Sequence, residues 1–438
     1  MKRTLVLLAC LVPSGYAQAA AICDARVHFQ SVAGTECLNG SPSGFAYFCK
    51  EGSPAPLLVN FQGGGACWDG NSCDCRPCVA GDSRPECAGV PPGVCTSGYI
   101  VESSPGNELA GDVSFSEDAL LSSVNSPFNL RTSWNYAFIA YCTGDLHAGN
   151  AARSYTTTDH RQGYACSVDS DCRDPMTGAS GPAGSCEAGL CKDVTYTVKH
   201  KGYADAAKIL DSIAALFPAP AKVAAIGGSA GGYGVDCNLK QVRERYPEVR
   251  MYEMNDAGPP INPRYAKDYL ADINSWGLFH FASDGTVISD TCPIESPDSI
   301  LTWSWLAISY YNQIHFPDVR KAAAISRFDE VLGGFACLWG ATPDAGGSCQ
   351  WVVADSIADL FTSYLVSRQK SFNYKTYAAT TDCHGVDSFD PSGHCDYDTF
   401  QENGVKFSDW VNAWMEQPSP VQWKNVVEPG RVPVPKGG

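Results

Sequence analysis

Short unbroken apolar runs alternate along the chain with segments whose apolar positions recur at helical spacing. Phe45-Ala46-Tyr47-Phe48, Leu57 to Phe61, Trp134 to Tyr141, Val223 to Ile226, Met251 to Met254, Lys321 to Phe328 and Tyr374 to Thr380 are runs of strand length bounded by turn formers, which predicts buried strands. Between them, Gly202 to Phe217 carries Ala206, Ile209, Leu210, Ile213 and Leu216 on one face and predicts a helix. Tyr233 to Arg245, residues 353–370 and Gly404 to Trp414 read the same way, the last as a closing amphipathic helix. Residues 266–320 read as helix-like and rich in Trp and Tyr, and are expected to form a lid. Strands alternating with helices predict an α/β fold of α/β-hydrolase type, with a mainly parallel central sheet flanked by helices.

At one strand-to-helix junction the sequence is Gly227-Gly228-Ser229-Ala230-Gly231-Gly232. G-x-S-x-G at such a turn is the pattern of a nucleophile elbow, where small neighbours let a serine stand exposed on a strained turn. An ordinary glycine-rich loop would match too, so the remaining strand ends decide. After the Leu57–Phe61 run comes Gln62-Gly63-Gly64-Gly65-Ala66-Cys67-Trp68. Glycines there let main-chain N–H groups approach a substrate oxygen, making Gly64 and Gly65 candidate oxyanion donors with Ala230. A serine needs a base, and the base an orienting acid. In this fold the order is Ser, acid, His. Of eight histidines, only His384 and His394 follow Asp329, the more plausible acid. His384, just beyond the last strand, is preferred, and His394 is the alternative base. Asp329 follows a later strand than Asp256 and is the expected acid; Asp256 is expected to cap its own Asp-Ala-Gly turn. Asp145 and His147 are candidates to line the site, and Asp145 alternatively caps the turn that follows it.

The chain has 438 residues and a formal charge of −16. An acidic protein of this kind is not expected to bind nucleic acid. Lys2 and Arg3, the apolar run to Val12 and Ala17-Gln18-Ala19 predict a signal peptide over residues 1–19, and no apolar run reaches membrane-spanning length. A lipid-bearing Cys10 is the less favoured reading. Removing Cys10 from 21 cysteines leaves an even number, which in an exported chain predicts disulfides. For Cys73-x-Cys75-x-x-Cys78, disulfides are preferred to metal ligands. Residues 71–95, with five cysteines, read as a stapled loop at the edge of the site. Residues 20–438 read as one α/β-hydrolase-like domain, and about 163–193 as a small cysteine-rich insertion held by two disulfides. The expected location is secreted or periplasmic.

Cys37-Leu-Asn-Gly-Ser-Pro42, Gln62 to Cys67, Tyr141-Cys-Thr-Gly-Asp145, Gly228-Ser-Ala-Gly-Gly232, Asn255-Asp-Ala-Gly258 and Phe328-Asp-Glu330 together resemble the pectin acetylesterase family. That family spans plant pectin acetylesterases and Notum-like carboxylesterases, and this chain is read as a bacterial-type member. The resemblance implies Ser229 as nucleophile and Asp329 as acid. The spacing from Tyr377 to His384 matches the family's histidine. The family often carries Trp directly after its glycines, where this chain has Ala66, and its plant members lack the insertion. The expected activity is therefore a serine carboxylesterase acting on O-acyl esters, acetyl or short-chain, on carbohydrate. It needs no metal or cofactor, and its oligomeric state is open. Rivals are a lipid or polyester hydrolase, suggested by the aromatic 266–311 segment, and a non-catalytic extracellular binding protein.

Overall fold

The computed structural model describes residues 26–50, 55–69, 72–73, 126–128, 134–157, 166–172, 184–258, 274–284, 287–294, 305–326, 329, 374–379, 397–416 and 423–426. The leader with Cys10, nearly all of the 71–95 loop, the 353–370 helix, His384 and His394 lie outside them.

An eight-stranded sheet forms the centre, built from β1 (His28–Ser31), β2 (Gly44–Phe48), β3 (Leu57–Phe61), β4 (Asn135–Ile139), β9 (Val223–Gly228), β10 (Met251–Asp256), β13 (Arg320–Ser326) and β14 (Tyr374–Ala379). Its spatial order is β1-β2-β4-β3-β9-β10-β13-β14. The pairs β1–β2 and β2–β4 are antiparallel, and every pair from β4 to β14 is parallel. Parallel strands are covered on both faces, which is why their sequences read as continuous apolar runs. Alternate residues divide between the faces. Val223 and Ala225 pack with Ile209, Leu210 and Ile213 of α1 (Gly202–Leu216) and Val235 and Leu239 of α2 (Ala230–Arg245). Ala224 and Ile226 pack with Trp410 and Trp414 of α4 (Phe407–Glu416). This is an α/β-hydrolase fold, with a large mainly parallel sheet between helical layers.

The 266–320 expectation needs correction. Its described part contains a hairpin, β11 (Phe279–Phe281) with β12 (Val287–Ser289), and one helix, α3 (Trp305–His315). Trp276 and Trp305 are fully buried, and the Tyr233 and Trp305 rings lie 4.9 Å apart. Aromatic residues read as a lid belong to the core against α2, because nothing in a helical aromatic pattern separates a covering layer from a buried one.

Between β5 (Ala151–Thr157) and β8 (Val194–His200), themselves an antiparallel pair, lies the cysteine-rich stretch. It contains a small hairpin of β6 (Ser185–Glu187) and β7 (Leu190–Lys192), with crossing bridges Cys166–Cys186 and Cys172–Cys191. Cys37–Cys142, Cys67–Cys73 and Cys237–Cys292 are also bonded. Among the described residues no helix is long and apolar enough to cross a membrane.

Candidate active site

The carboxyl ends of β9, β10, β13 and β14 share one edge of the sheet, the edge where parallel α/β sheets hold their ligands. Ser229 leaves β9 with φ 53° and ψ −120°. Such a backbone is rare for any residue but glycine and costs on the order of 1–3 kcal/mol, so its surroundings must enforce it. They do so from both sides. Ser229 N–H donates to the Asp256 carbonyl at 2.8 Å, while Ser229 C=O accepts from Gly232 and Tyr233 N–H at 2.9 and 3.3 Å. Ala230 opens α2, so its N–H belongs to the first turn, which has no intrahelical acceptor and sits at the positive end of the helix dipole.

The second glycine cluster runs directly beside this turn. A Cβ on Gly63 would lie 2.8 Å from Gly228 O and 3.7 Å from Ser229 Cβ. Gly64 has φ 145°, a backbone that L side chains rarely adopt. The loop is fastened at several points. Gln62 N–H donates to Ile139 O at 3.1 Å, Cys67 N–H to Gly144 O at 2.9 Å, and Trp276 Nε1–H to Cys67 O at 2.6 Å. The Cys67–Cys73 bridge closes it.

Asp329 is buried three residues beyond the end of β13. With β10 between, β9 and β13 are two strand spacings apart, about 10 Å. Asp256 ends β10 between them and is buried, and its carbonyl holds the elbow. Asn255, beside it, closes the turn that follows. The Asn255 Oδ1 accepts Gly258 N–H, and its Nδ2 donates to Gly258 O, both at 2.9 Å, and to Asp236 Oδ2 at 3.0 Å. An amide can accept and donate at once, which a carboxylate cannot.

Asp145 and His147 are both buried. Asp145 accepts Gly202 N–H at 2.8 Å at the start of α1, and the Thr143 hydroxyl at 2.6 Å. Burial raises its carboxyl to about 7 against these donors. His147 Nε2–H donates to Gln62 O at 2.9 Å, and burial lowers the imidazole to about 4. The turn-capping expected of Asp145 as one alternative fits its bonds to Thr143 and Gly149, and it reaches the start of α1 as well, while His147 reaches the glycine loop. Gln62 and Tyr141, which hold the glycine loop, were not singled out as supports in the sequence. Their places, directly before the glycines and two residues after the end of β4, are the signal. Among the described residues, two cysteine groups have sulfurs close enough for metal ligation, Cys67 and Cys73 with His200, and Cys166, Cys172 and Cys191. All five sulfurs are in disulfides and are not thiolates, which favours the disulfide reading of Cys73.

A serine on a strained elbow between β9 and α2, with a glycine strip from β3 alongside, is the architecture of an α/β hydrolase. Neither a protein-family model nor a curated protein sequence matches the chain. Among solved structures it is similar to the Wnt deacylase Notum from Drosophila in two crystal forms. The first shares 14% identity at a TM-score of 0.49, covering 92% of this chain and 96% of that one. The second shares 13% at 0.47, covering 89% and 92%. Likeness at this level assigns neither activity nor substrate, and the fold rests on the strand order itself.

Proposed function

We propose that this chain is an exported serine carboxylesterase that hydrolyses short O-acyl esters, acetyl above all, on carbohydrate. The observation that carries the reading is Ser229, held at positive φ with the Gly63–Gly65 strip beside it. Ser229 Oγ attacks the ester carbonyl while His384 takes its proton, and the oxyanion is met by N–H groups of Gly64, Gly65 and Ala230. His384 then protonates the departing alcohol. Water, deprotonated by the same histidine, cleaves the acyl-enzyme and releases the acid. Asp329 orients the imidazole and balances its charge. Chain length permits this. His384 follows the end of β14 by five residues, a reach of about 17 Å, against about 14 Å for the three strand spacings from β14 to β9. Disulfides among the described cysteines fit an oxidising compartment.

Purified protein is expected to release p-nitrophenol from p-nitrophenyl acetate, and Ser229→Ala to abolish this. Equal rates in the two would sink the mechanism. Asp329→Asn should lower kcat by up to about 10⁴-fold while Asp256→Asn keeps turnover. His384→Ala against His394→Ala decides the base. A series of acyl chains from acetyl to palmitoyl separates a sugar deacetylase from a lipid hydrolase.

A further inference from the structure

We infer that Tyr141 and His147 are positioning residues that hold the two halves of the oxyanion site, the Gly63–Gly65 strip and the start of α2, in register; the inference rests on the esterase reading above. A run of glycines has more backbone freedom than any other sequence, so its useful conformation must be imposed from outside. Two carbonyls, one at each end of the strip, are pinned by two neighbouring rings. His147 Nε2–H donates to Gln62 O at 2.9 Å, and the Tyr141 hydroxyl donates to Gly65 O at 2.9 Å. A trans peptide is planar, so these bonds fix the Gln62–Gly63 and Gly65–Ala66 planes, which bracket the Gly64 and Gly65 N–H groups. Tyr141 holds the strip a second time, its main-chain N–H donating to Gln62 Oε1 at 2.8 Å.

The clamp is itself braced. The Tyr141 hydroxyl accepts Leu146 N–H at 2.8 Å, and the Tyr141 and His147 rings are 4.6 Å apart. Leu146 and His147 adopt φ of 58° and 56°. Consecutive non-glycine residues in that region are uncommon, and here the strain delivers one N–H to Tyr141 and one imidazole to Gln62. His147 also touches the nucleophile helix. Asn238 Nδ2–H donates to His147 O at 3.0 Å, and a Cβ on Gly234 would lie 2.7 Å from His147 Cδ2. One imidazole thus spans α2 and the glycine strip. A carbonyl only accepts, so Nε2 carries the hydrogen. Burial keeps the ring neutral, which suits a fixed donor rather than a catalytic acid or base.

The test uses Tyr141→Phe, His147→Leu and the conservative His147→Gln, whose amide can restore a donor near Nε2. Expected for the first two is a kcat lower by about ten- to a hundredfold at nearly constant KM. Binding of a trifluoromethyl ketone, which forms a tetrahedral adduct with the serine, should weaken by the same factor. His147→Gln should recover most of both. Backbone amide exchange should quicken at residues 63–67 in the two impaired variants and not in β9. Folded Tyr141→Phe and His147→Leu with parental kcat and parental exchange over 63–67 overturn the inference. A fall in activity tracked only by lost thermal stability overturns it too. If the parent itself lacks Ser229-dependent turnover, the esterase reading fails, and the exchange pattern alone decides whether the clamp exists.

Discussion

A single methyl at Gly231 separates a decorative glycine motif from a required one. A Cβ there would lie 2.0 Å from Phe61 O, 2.9 Å from Phe61 C and 3.1 Å from Gln62 C. An unstrained contact needs about 3.5 Å, so α2 and the end of β3 must part by roughly 1–1.5 Å. Neither side yields easily. Phe61 lies in the sheet between Ile139 of β4 and Gly227 of β9, and Gly231 is in the first turn of α2, two residues from Ser229. The strain therefore falls on the gap between Ser229 and the Gln62–Gly65 strip. A misplacement of about 1 Å costs on the order of a hundredfold in rate, or about 2.7 kcal/mol of transition-state stabilisation. Overpacking should also lower stability by about 1–3 kcal/mol. Gly40→Ala is the control: its positive φ (84°) brings backbone strain, but its Cβ meets nothing within 4 Å, so it tests strain without a close approach. It should lose only about 1–2 kcal/mol of stability and no turnover. The assay is kcat/KM on p-nitrophenyl acetate beside a thermal melt of each variant. A Gly231→Ala protein with the parent's melting temperature and the parent's kcat/KM would refute the close-approach argument.

Folding changes the protonation of four buried groups, with Glu36, Lys208 and Arg153 around them. Burial takes His147 and His200 from 6.5 down to about 4, so their stabilisation is complete above pH 6.5 and is lost as pH falls towards 4. Burial takes Asp145 and Asp205 from 3.8 up to about 7, so theirs is complete below 3.8 and is lost as pH rises towards 7. The two trends oppose each other, and melting temperature should be nearly flat across that window. Asp145→Asn removes one opposing group and should make stability rise with pH by up to about 1.4 kcal/mol per unit between 4 and 6.5; melts of parent and variant with equal slopes would exclude this. Opening the insertion with Cys166→Ser and Cys186→Ser releases a bridge of sequence separation 20. That should cost about 3 kcal/mol locally and leave kcat/KM on the short ester within about twofold, because β5 and β8 keep their own ladder. A large loss of turnover would tie the insertion to the site instead.

The fold class was legible because both faces of a parallel strand are buried. Leu57–Phe61 and Val223–Gly228 therefore announce themselves as almost wholly apolar runs, and the helix Gly202–Leu216 by its spacing. The elbow was legible too, since the steric demand at Gly227 is local: a Cβ there would lie 2.3 Å from Gly231 O. Contacts across chain distance were not. That Gly63 lies against Gly228, that Asn255 joins Gly258 to Asp236, and that Trp276 and Trp305 belong to the core follow from which strands are neighbours. Local pattern says what a segment buries, and only the packed sheet decides against what. The same limit applies to His147. In the sequence it is one of eight histidines near a turn. Only the approach of α2, the glycine strip and the 143–149 turn makes it a neutral, buried donor joining the nucleophile helix to the loop beside the serine.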